Sequence, residues 1–260
     1  MKGLILAGGL GSRLRPITHT TQKQLVPIVN KPVIQYVIED LRDVGITDIG
    51  IVIGGQFPED IQNYLGDGKH LDVDITYILQ GKPLGLAHAV GCARDFVKQE
   101  AFVVYFGDTI IGDAIVKRLV RSFDNTRHEL GLCLQHVNNP SRYGIADISE
   151  GEIRGLEEKP ADPPTNLAYI GILCVSSAIF EYTSSLEPSE RGEYELTELL
   201  NDLIRSGNSI HWETIDGLWK DVGTPEDVIE TNQILLNHIG EDVKGNISPR
   251  ANVSGPVQVN

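Results

Sequence analysis

Hydrophobic and polar residues follow two alternating periods over the first half of the chain. Short apolar runs predict buried β-strands at residues 2–7, 48–53, 74–79 and 101–106. Apolar residues at helical spacing predict helices at residues 32–44, 58–65 and 84–97. Repeated strand–helix alternation is typical of βαβ units, whose parallel strands bind ligands at their carboxyl ends. The pattern therefore predicts an α/β fold with a Rossmann-like, mostly parallel mixed sheet flanked by helices.

The pattern changes after Arg127. Strands are predicted at residues 129–137, 144–148, 152–156 and 167–175, with fewer helices between them. Helical spacing returns at residues 193–206 and 225–239. We interpret residues 1–240 as one α/β domain whose second half adds a more antiparallel part.

The last twenty residues carry a different repeat. Ile247, Val253 and Val259 lie six residues apart, with Asn, Ser, Pro and Gly between them. This period is typical of the hexapeptide repeats of a left-handed β-helix, although a stable repeat domain needs about three or more coils. We interpret residues 241–260 as a linker and the start of a left-handed β-helix, truncated before a full domain. An irregular tail is the alternative.

Charge and cysteine content narrow the class of protein. A net charge of −14 argues against nucleic acid or an anionic membrane as partner. The three cysteines are far apart and form no C-x-x-C pair, so buried free thiols are expected. No apolar run reaches the roughly 18 residues of a transmembrane helix, and the N-terminal apolar stretch is too short for a signal peptide. We therefore expect a cytoplasmic protein.

Positive charge is concentrated at the N-terminus of this acidic chain. No Asp or Glu precedes Glu39, whereas five cations do: Lys2, Arg13, Arg15, Lys23 and Lys31. An anion-binding segment is one interpretation, and a chance cluster of surface cations is the other.

A glycine-rich loop follows the first predicted strand, with the sequence Gly8-Gly9-Leu10-Gly11-Ser12-Arg13-Leu14. Such a loop lets the backbone N–H groups approach a phosphate chain. It is neither a P-loop, since G-x-x-x-x-G-K-[ST] is absent, nor a dinucleotide fingerprint, since residue 14 is Leu. Arg13 and Lys23 add a forked contact and a point charge suited to a triphosphate.

The loop and the segments after it resemble the sugar-1-phosphate nucleotidylyltransferase family, and within it the glucose-1-phosphate thymidylyltransferases. The resemblance spans roughly residues 1–240, and its motifs are specific as a set rather than singly. The matching segments are the glycine loop with Lys23-Gln24-Leu25-Val26-Pro27, Gln80 with residues 83–87, Gly107-Asp108, Arg142-Tyr143-Gly144, residues 157–160, Gly171, residues 191–197 and residues 219–224.

The resemblance implies a nucleotidylyltransferase catalytic domain over residues 1–240. The substrates would be dTTP or UTP and glucose 1-phosphate, the products dTDP-glucose or UDP-glucose and pyrophosphate, and the cofactor Mg²⁺. A homo-oligomer is also expected. The implied catalytic residues are Arg13, Lys23 and Lys159, and the implied metal ligands are Asp108 and Asp221. The implied nucleotide-binding residues are Leu6, Ala7, Gly8, Gly9, Gly11, Ser12, Gln80, Pro83, Gly85 and Asp108. The implied sugar-phosphate-binding residues are Tyr143, Gly144, Glu158, Lys159 and Gly171.

One position departs from the pattern of those thymidylyltransferases. They usually carry Asn after the metal-binding Asp, whereas this chain has Thr109. A threonine still offers a hydroxyl group, so the change bears on which sugar or nucleotide is used more than on the reaction itself.

Several alternatives stay open at this level. Asp72-Val73-Asp74 has the Asp-x-Asp form by which many glycosyltransferases hold a metal, although a turn is the simpler interpretation. A sugar-nucleotide sensor would bind the same ligands without releasing pyrophosphate. Asp108 could cap a helix, Asp221 could belong to a turn, and Glu158 could serve only as the ion-pair partner of Lys159.

Overall fold

A nine-stranded mixed sheet organises the chain. The computed structural model describes residues 1–238, 242–243, 246–252 and 258–259. In chain order its strands are β1 Lys2–Ala7, β2 Pro27–Ile28, β3 Lys31–Pro32, β4 Asp48–Ile53, β5 Asp74–Leu79, β6 Phe102–Phe106, β7 Thr109–Ile111, β8 Leu130–His136, β9 Gly144–Ser149, β10 Glu152–Glu158, β11 Leu167–Val175, β12 Ile210–Thr214, β13 Trp219–Asp221, β14 Asp242–Val243 and β15 Gln258–Val259.

The sheet is parallel at one end and antiparallel at the other. Strands β6, β1, β4 and β5 are neighbours in this order and run parallel. The long strand β11 then pairs antiparallel with β6, β8 and β9, while β10 pairs with β9 and β12 with β8. The first half of the chain thus builds a Rossmann-like part, and the second half adds the antiparallel extension that the sequence predicts.

Helices cover both faces of the sheet. They are α1 Val33–Asp43, α2 Pro58–Leu65, α3 Leu86–Cys92, α4 Arg94–Val97, α5 Asp113–Ser122, α6 Ile179–Tyr182, α7 Leu196–Arg205 and α8 Pro225–His238. Residues of α1, α2 and α5 form one hydrophobic core with the sheet, and residues of α3, α4, α6 and α7 form a second core on the opposite face. Burial of the apolar stripe of each helix stabilises this three-layer arrangement.

The bounds of the predicted strands and helices agree best with the structure where a clear local period of apolar residues predicts the element. Strands β1, β4, β5 and β11 and helix α2 have the predicted bounds. The helix predicted at 84–97 begins only at Leu86 and is divided into α3 and α4. The helix predicted at 193–206 begins only at Leu196, because residue 194 is bonded to the backbone of Leu84 and Ala87 instead. The sequence pattern does not predict helices α5 and α6 or strands β2, β3, β7, β12 and β13.

The C-terminal segment contains one short parallel pair. Strand β14 pairs with β15, with Asp242 opposite Gln258 and Val243 opposite Val259. Of the three residues in the six-residue repeat, Val253 lies outside the described residues. Within the described residues, this pair does not make up a coil of a left-handed β-helix. In the described part of the chain, no helix has both the length and the apolar character to cross a membrane.

Candidate active site

The carboxyl ends of the parallel strands open into a cavity of about 430 Å³. The glycine loop follows β1, Gln80 follows β5, and Asp108 follows β6. The antiparallel extension closes the opposite side with Tyr143 and Lys159, which flank strands β9 and β10. The sequence positions that follow parallel strands therefore meet at the edge where this fold binds ligands.

Nearly all residues implied by the family resemblance line this one cavity. They are Leu6, Gly8, Gly9, Gly11, Ser12, Arg13, Lys23, Gln80, Pro83, Gly85, Asp108, Tyr143, Gly144, Glu158, Lys159, Gly171 and Asp221. Ala7 is the exception among the implied residues. It is fully buried in the core between sheet and helices and does not line the cavity, because its side chain points to the face opposite that of Leu6.

Two carboxylates and two cations form the charged centre of the cavity. The Lys23 ammonium makes an ion pair with Asp108, and Arg13 and Asp221 lie beside this pair. Burial opposes the charged form of Lys23, but Asp108 and Asp221 outweigh it and raise the pKa of the ammonium above its ordinary value. Burial and the Asp108 carboxylate together raise the pKa of Asp221 to about 6, while Lys23 and Arg13 oppose that rise.

A two-stranded pairing brings the carboxylates together. In the β7–β13 pair, Asp221 lies opposite Thr109, and the Val222 N–H donates to the carbonyl of Asp108 over 2.9 Å. Gly223 follows at a point with little room. A Cβ there would lie 3.2 Å from Arg13 Nη2 and 3.3 Å from Asp221 Oδ2. The tertiary structure thus brings Arg13 and Asp221 to the same side of Gly223.

One end of the cavity is built closely around Gln80. Its Nε2 donates to the carbonyl of Gly85 over 3.0 Å. Gly85 has φ 115°, and a Cβ there would lie 2.5 Å from the carbonyl oxygen of Tyr194. Only glycine fits both conditions. Gly85 therefore lets the segment after β5 pack closely against the segment before α7, beside the open cavity.

The opposite end of the cavity is formed by residues of the antiparallel extension. Lys159 lies at the end of β10, its N–H donates to the carbonyl of Tyr143 over 2.9 Å, and its Nζ lies 3.1 Å from Glu158 Oε1. Arg191 Nη1 lies 3.8 Å from the same oxygen. Gly171, with φ 76°, sits where the register of β11 shifts against β8. This end therefore combines exposed cations with a carboxylate acceptor.

Several lining residues were not among the candidates. Some of them lie in segments that carry the family resemblance, so their closeness in sequence to the candidates could have indicated them. These include Arg142, Glu193, Trp219 and Gly223. Leu10, Gln24 and Leu86 lie in such segments as well, and Thr109 follows the implied metal ligand Asp108. The others lie on helix α3 or on strands β6 and β11, where core residues have the same apolar character. These are Ala89, Phe106, Tyr169 and Ile170. By contrast, Asp72 and Asp74 lie before and at the start of β5, away from the cavity at its carboxyl end, and neither lines it.

The donor set at the charged centre fits a hard divalent cation. Within the described residues, no three His, Cys, Asp or Glu side chains gather as a complete metal cage. Mg²⁺ is commonly bound by one or two carboxylates and completes its shell with water and substrate phosphates. Asp108 and Asp221 provide such a pair, and they already balance the positive charges of Lys23 and Arg13.

A glycine loop and a charged centre at the carboxyl ends of parallel strands are typical of α/β proteins that bind phosphorylated ligands. The chain belongs to the nucleotidyl transferase family, whose sequence model matches residues 2–238. It is therefore a nucleotidyltransferase, and members of this family generally use a divalent metal.

Relatives and solved structures give the same family. The chain is 50% identical over 260 residues to the low-salt glycan biosynthesis nucleotidyltransferase Agl11 of Haloferax volcanii, covering all of this chain and 72% of that protein. It is 43% identical over 260 residues to a glucose-1-phosphate thymidylyltransferase of Streptomyces griseus, covering 100% and 73%. A structure named as a glucose-1-phosphate thymidylyltransferase of Bacillus anthracis, in complex with a sucrose, has a TM-score of 0.84 at 38% identity and covers 90% of this chain and 94% of that one.

Proposed function

We propose that the chain transfers a nucleotidyl group from dTTP or UTP to glucose 1-phosphate, giving dTDP-glucose or UDP-glucose and pyrophosphate. The observation that carries the proposal is the order of groups along one cavity. Gln80 and the glycine loop lie at one end, Lys159 and Glu158 at the other, and Arg13, Lys23 and two carboxylates between them. This order suits a phosphate oxygen that attacks the α-phosphorus of a triphosphate.

The proposed reaction needs no general base. A sugar phosphate has a second pKa of about 6, so near neutral pH its nucleophilic oxygen is already deprotonated. The main obstacle is repulsion between a dianion and a triphosphate, which positive charge and positioning overcome. Arg13 would stabilise charge on the α-phosphate and the departing pyrophosphate, Lys23 would neutralise the phosphates, and Lys159 would bind the sugar phosphate.

We propose sugar contacts at the end of the cavity with Glu158 and nucleotide contacts at the end with Gln80. Glu158 would accept hydrogen bonds from sugar hydroxyls, beside Tyr143, Gly144 and Gly171. The backbone from Leu6 to Ser12, together with Pro83 and Gly85, would surround the nucleotide, with Ala7 contributing through its backbone only. One methyl group separates thymine from uracil and is worth about 1 kcal/mol in an apolar pocket, so we propose use of both dTTP and UTP.

We propose Mg²⁺ as the divalent metal, held by Asp108 and Asp221. When bound, it would offset negative charge on the phosphates near the reacting centre. The Lys23 ammonium pairs with Asp108 in the present structure. Lys23 would then turn toward the phosphates when the carboxylates bind the metal.

We propose residues 1–240 as the catalytic domain and residues 241–260 as a linker and the start of a left-handed β-helix in a homo-oligomer. Support comes from the six-residue spacing of Ile247, Val253 and Val259 and from the parallel pairing of β14 with β15. Parallel rungs that are about one coil apart in sequence are characteristic of such helices.

The test is release of pyrophosphate from purified protein. Glucose 1-phosphate is supplied with each of dTTP, UTP, CTP, ATP and GTP, with Mg²⁺ or with excess EDTA, and each mixture is repeated without the sugar phosphate. We expect release with dTTP and UTP that requires both substrates and is abolished by EDTA. Release without sugar phosphate would indicate a hydrolase instead. Nucleotide binding without release, also after galactose and amino-sugar phosphates are tried, would indicate a sensor.

A further inference from the structure

Both hydrogens of the Gln80 amide nitrogen have an acceptor inside the protein. Nε2 donates one to the carbonyl of Gly85 over 3.0 Å. It lies 3.3 Å from Nδ1 of His88, which accepts the other when the imidazole carries its proton on Nε2. A glutamine amide has only two such hydrogens, so none is left for a ligand.

The amide oxygen of Gln80 is left facing the nucleotide end of the cavity. A Cβ on Gly8 would lie 2.4 Å from Oε1, so this oxygen sits directly over the backbone of the glycine loop. Both Gly8 and Gln80 line the cavity. The side chain therefore presents an acceptor, and turning the amide over would place Oε1 against two acceptors, the Gly85 carbonyl and His88 Nδ1.

His88 acts on the cavity only through Gln80. It lies on α3, is half-buried and does not line the cavity. Its ring centroid is 6.3 Å from that of Tyr194, and Cys92 Sγ lies 3.9 Å from the same Nδ1. Nothing in these contacts reaches a bound nucleotide directly, so any effect of His88 on base choice has to pass through the orientation of the Gln80 amide.

We propose that His88 is a positioning residue that fixes the Gln80 amide with its oxygen toward the base, so that the site selects pyrimidines carrying an N3–H and rejects cytosine. Uracil and thymine donate from N3, whereas N3 of cytosine carries a lone pair that would face Oε1. A buried acceptor left opposite another acceptor is costly, which is why such sites discriminate strongly. This inference rests on the proposed function, because it assigns the base to the end of the cavity at Gln80.

The test compares two shape-matched substitutions, His88→Asn and His88→Leu. Asparagine keeps an acceptor oxygen at the position of Nδ1, and leucine has the same branching without it. For wild type and both variants, kcat/KM is measured with dTTP, UTP and CTP, and Kd for dTTP and CTP is measured by calorimetry. We expect His88→Leu to lower the dTTP-to-CTP ratio about five- to tenfold, the effect of one hydrogen bond. His88→Asn should keep the ratio near that of wild type.

Gln80→Ala and the double variant with His88→Leu test the route of the effect. Once the amide is absent, we expect His88→Leu to change the ratio no further. Cys92→Ala, which removes the other neighbour of Nδ1, is the matched control and should leave the ratio unchanged. Thermal unfolding of each variant separates loss of fold from loss of selectivity.

The outcomes separate this inference from the proposed function. If wild type releases no pyrophosphate with any pyrimidine triphosphate, the proposed function fails first. If wild type is active but His88→Leu and His88→Asn discriminate against CTP equally, or if His88→Leu lowers the ratio in the Gln80→Ala background as well, His88 does not position the amide. In either of those two cases, the inference is wrong while the nucleotidyl transfer stands.

Discussion

At the scale of single residues, the centre of the cavity holds two cations and two carboxylates whose charges balance. The buried Asp108 is paired with Lys23, and the half-buried Asp221 lies near the exposed guanidinium of Arg13. Loss of either partner of the Lys23–Asp108 pair would leave a largely buried charge uncompensated, which is strongly destabilising. The same cations are therefore available to phosphates only when something else, such as a metal ion, balances the carboxylates.

Arg13→Ala is expected to lower kcat for nucleotidyl transfer by about 10²–10³, because the proposed role of Arg13 is that of a preorganised charge that stabilises the transition state. The guanidinium is exposed, so the free energy of unfolding should change by less than about 1 kcal/mol. Steady-state kinetics and urea denaturation measure the two effects. Arg15→Ala is the matched control, since Arg15 is exposed in the same loop but does not line the cavity. Near-normal turnover of folded Arg13→Ala would remove Arg13 from the catalytic residues.

At the scale of elements, connections between segments shape the cavity more than any helix or strand does. The segment after β5 and the segment before α7 are joined by hydrogen bonds from Tyr194 N to the Leu84 carbonyl and from Ala87 N to the Tyr194 carbonyl. Because of these bonds, α3 and α7 begin two to three residues later than the predicted helices. The bonds also bring Gln80 and Glu193 to the same cavity from distant parts of the chain.

Gly85→Ala is expected to break this connection. Its Cβ would lie 2.5 Å from Tyr194 O at a φ of 115°, so the backbone of one segment has to move. We expect a loss of at least about 2 kcal/mol in the free energy of unfolding and a raised KM for the nucleotide. Gly81→Ala is the control, because Gly81 also has a positive φ of 71° but meets nothing within 4 Å. Equal losses in the two variants would mean that the contact with Tyr194 is unimportant.

At the scale of the whole molecule, a partly buried hydrogen bond connects helix α1 to the central strand β6. The Tyr105 hydroxyl donates to Asp40 Oδ2 over 2.9 Å. Burial raises the pKa of Asp40 to about 7, with a further rise from Asp113 and Asp43, while Tyr105 and Lys31 oppose it. Because an unfolded Asp titrates near pH 4, the folded chain holds an extra proton between about pH 4 and 7. Its stability therefore falls as pH rises through that window.

Asp40→Asn cannot lose a proton, so it should remove this pH dependence. We expect its free energy of unfolding, relative to wild type, to rise by on the order of 2 kcal/mol between pH 5 and pH 8. Urea denaturation at both pH values measures the difference. Asp95→Asn, an exposed aspartate on α4, serves as control. A constant difference between Asp40→Asn and wild type over this range would contradict a raised pKa.

Local pattern predicted the sheet and most helices, because burial of one face imposes a period that neighbouring residues reveal. It also located the glycine loop, Arg13 and Lys23, whose residue types are informative without any partner. Helix α5 and strand β12 were missed for different reasons. The sequence of α5 does carry a helical pattern, because Ile115, Val116 and Leu119 lie on one buried face, so this helix could have been predicted. Strand β12 is short and only half-buried, and such a strand is fixed mainly by what it packs against.

The sequence by itself determined the α/β class, the acidic balance and the set of residues that carry the family resemblance. Only the tertiary structure decided which of them meet. It paired β7 with β13 and so placed Asp221 beside Asp108, and it buried Ala7 while exposing Leu6 to the cavity. It also placed His88 behind Gln80. The physical reason is that propensity and periodicity depend on neighbours along the chain, whereas these contacts join segments far apart in sequence.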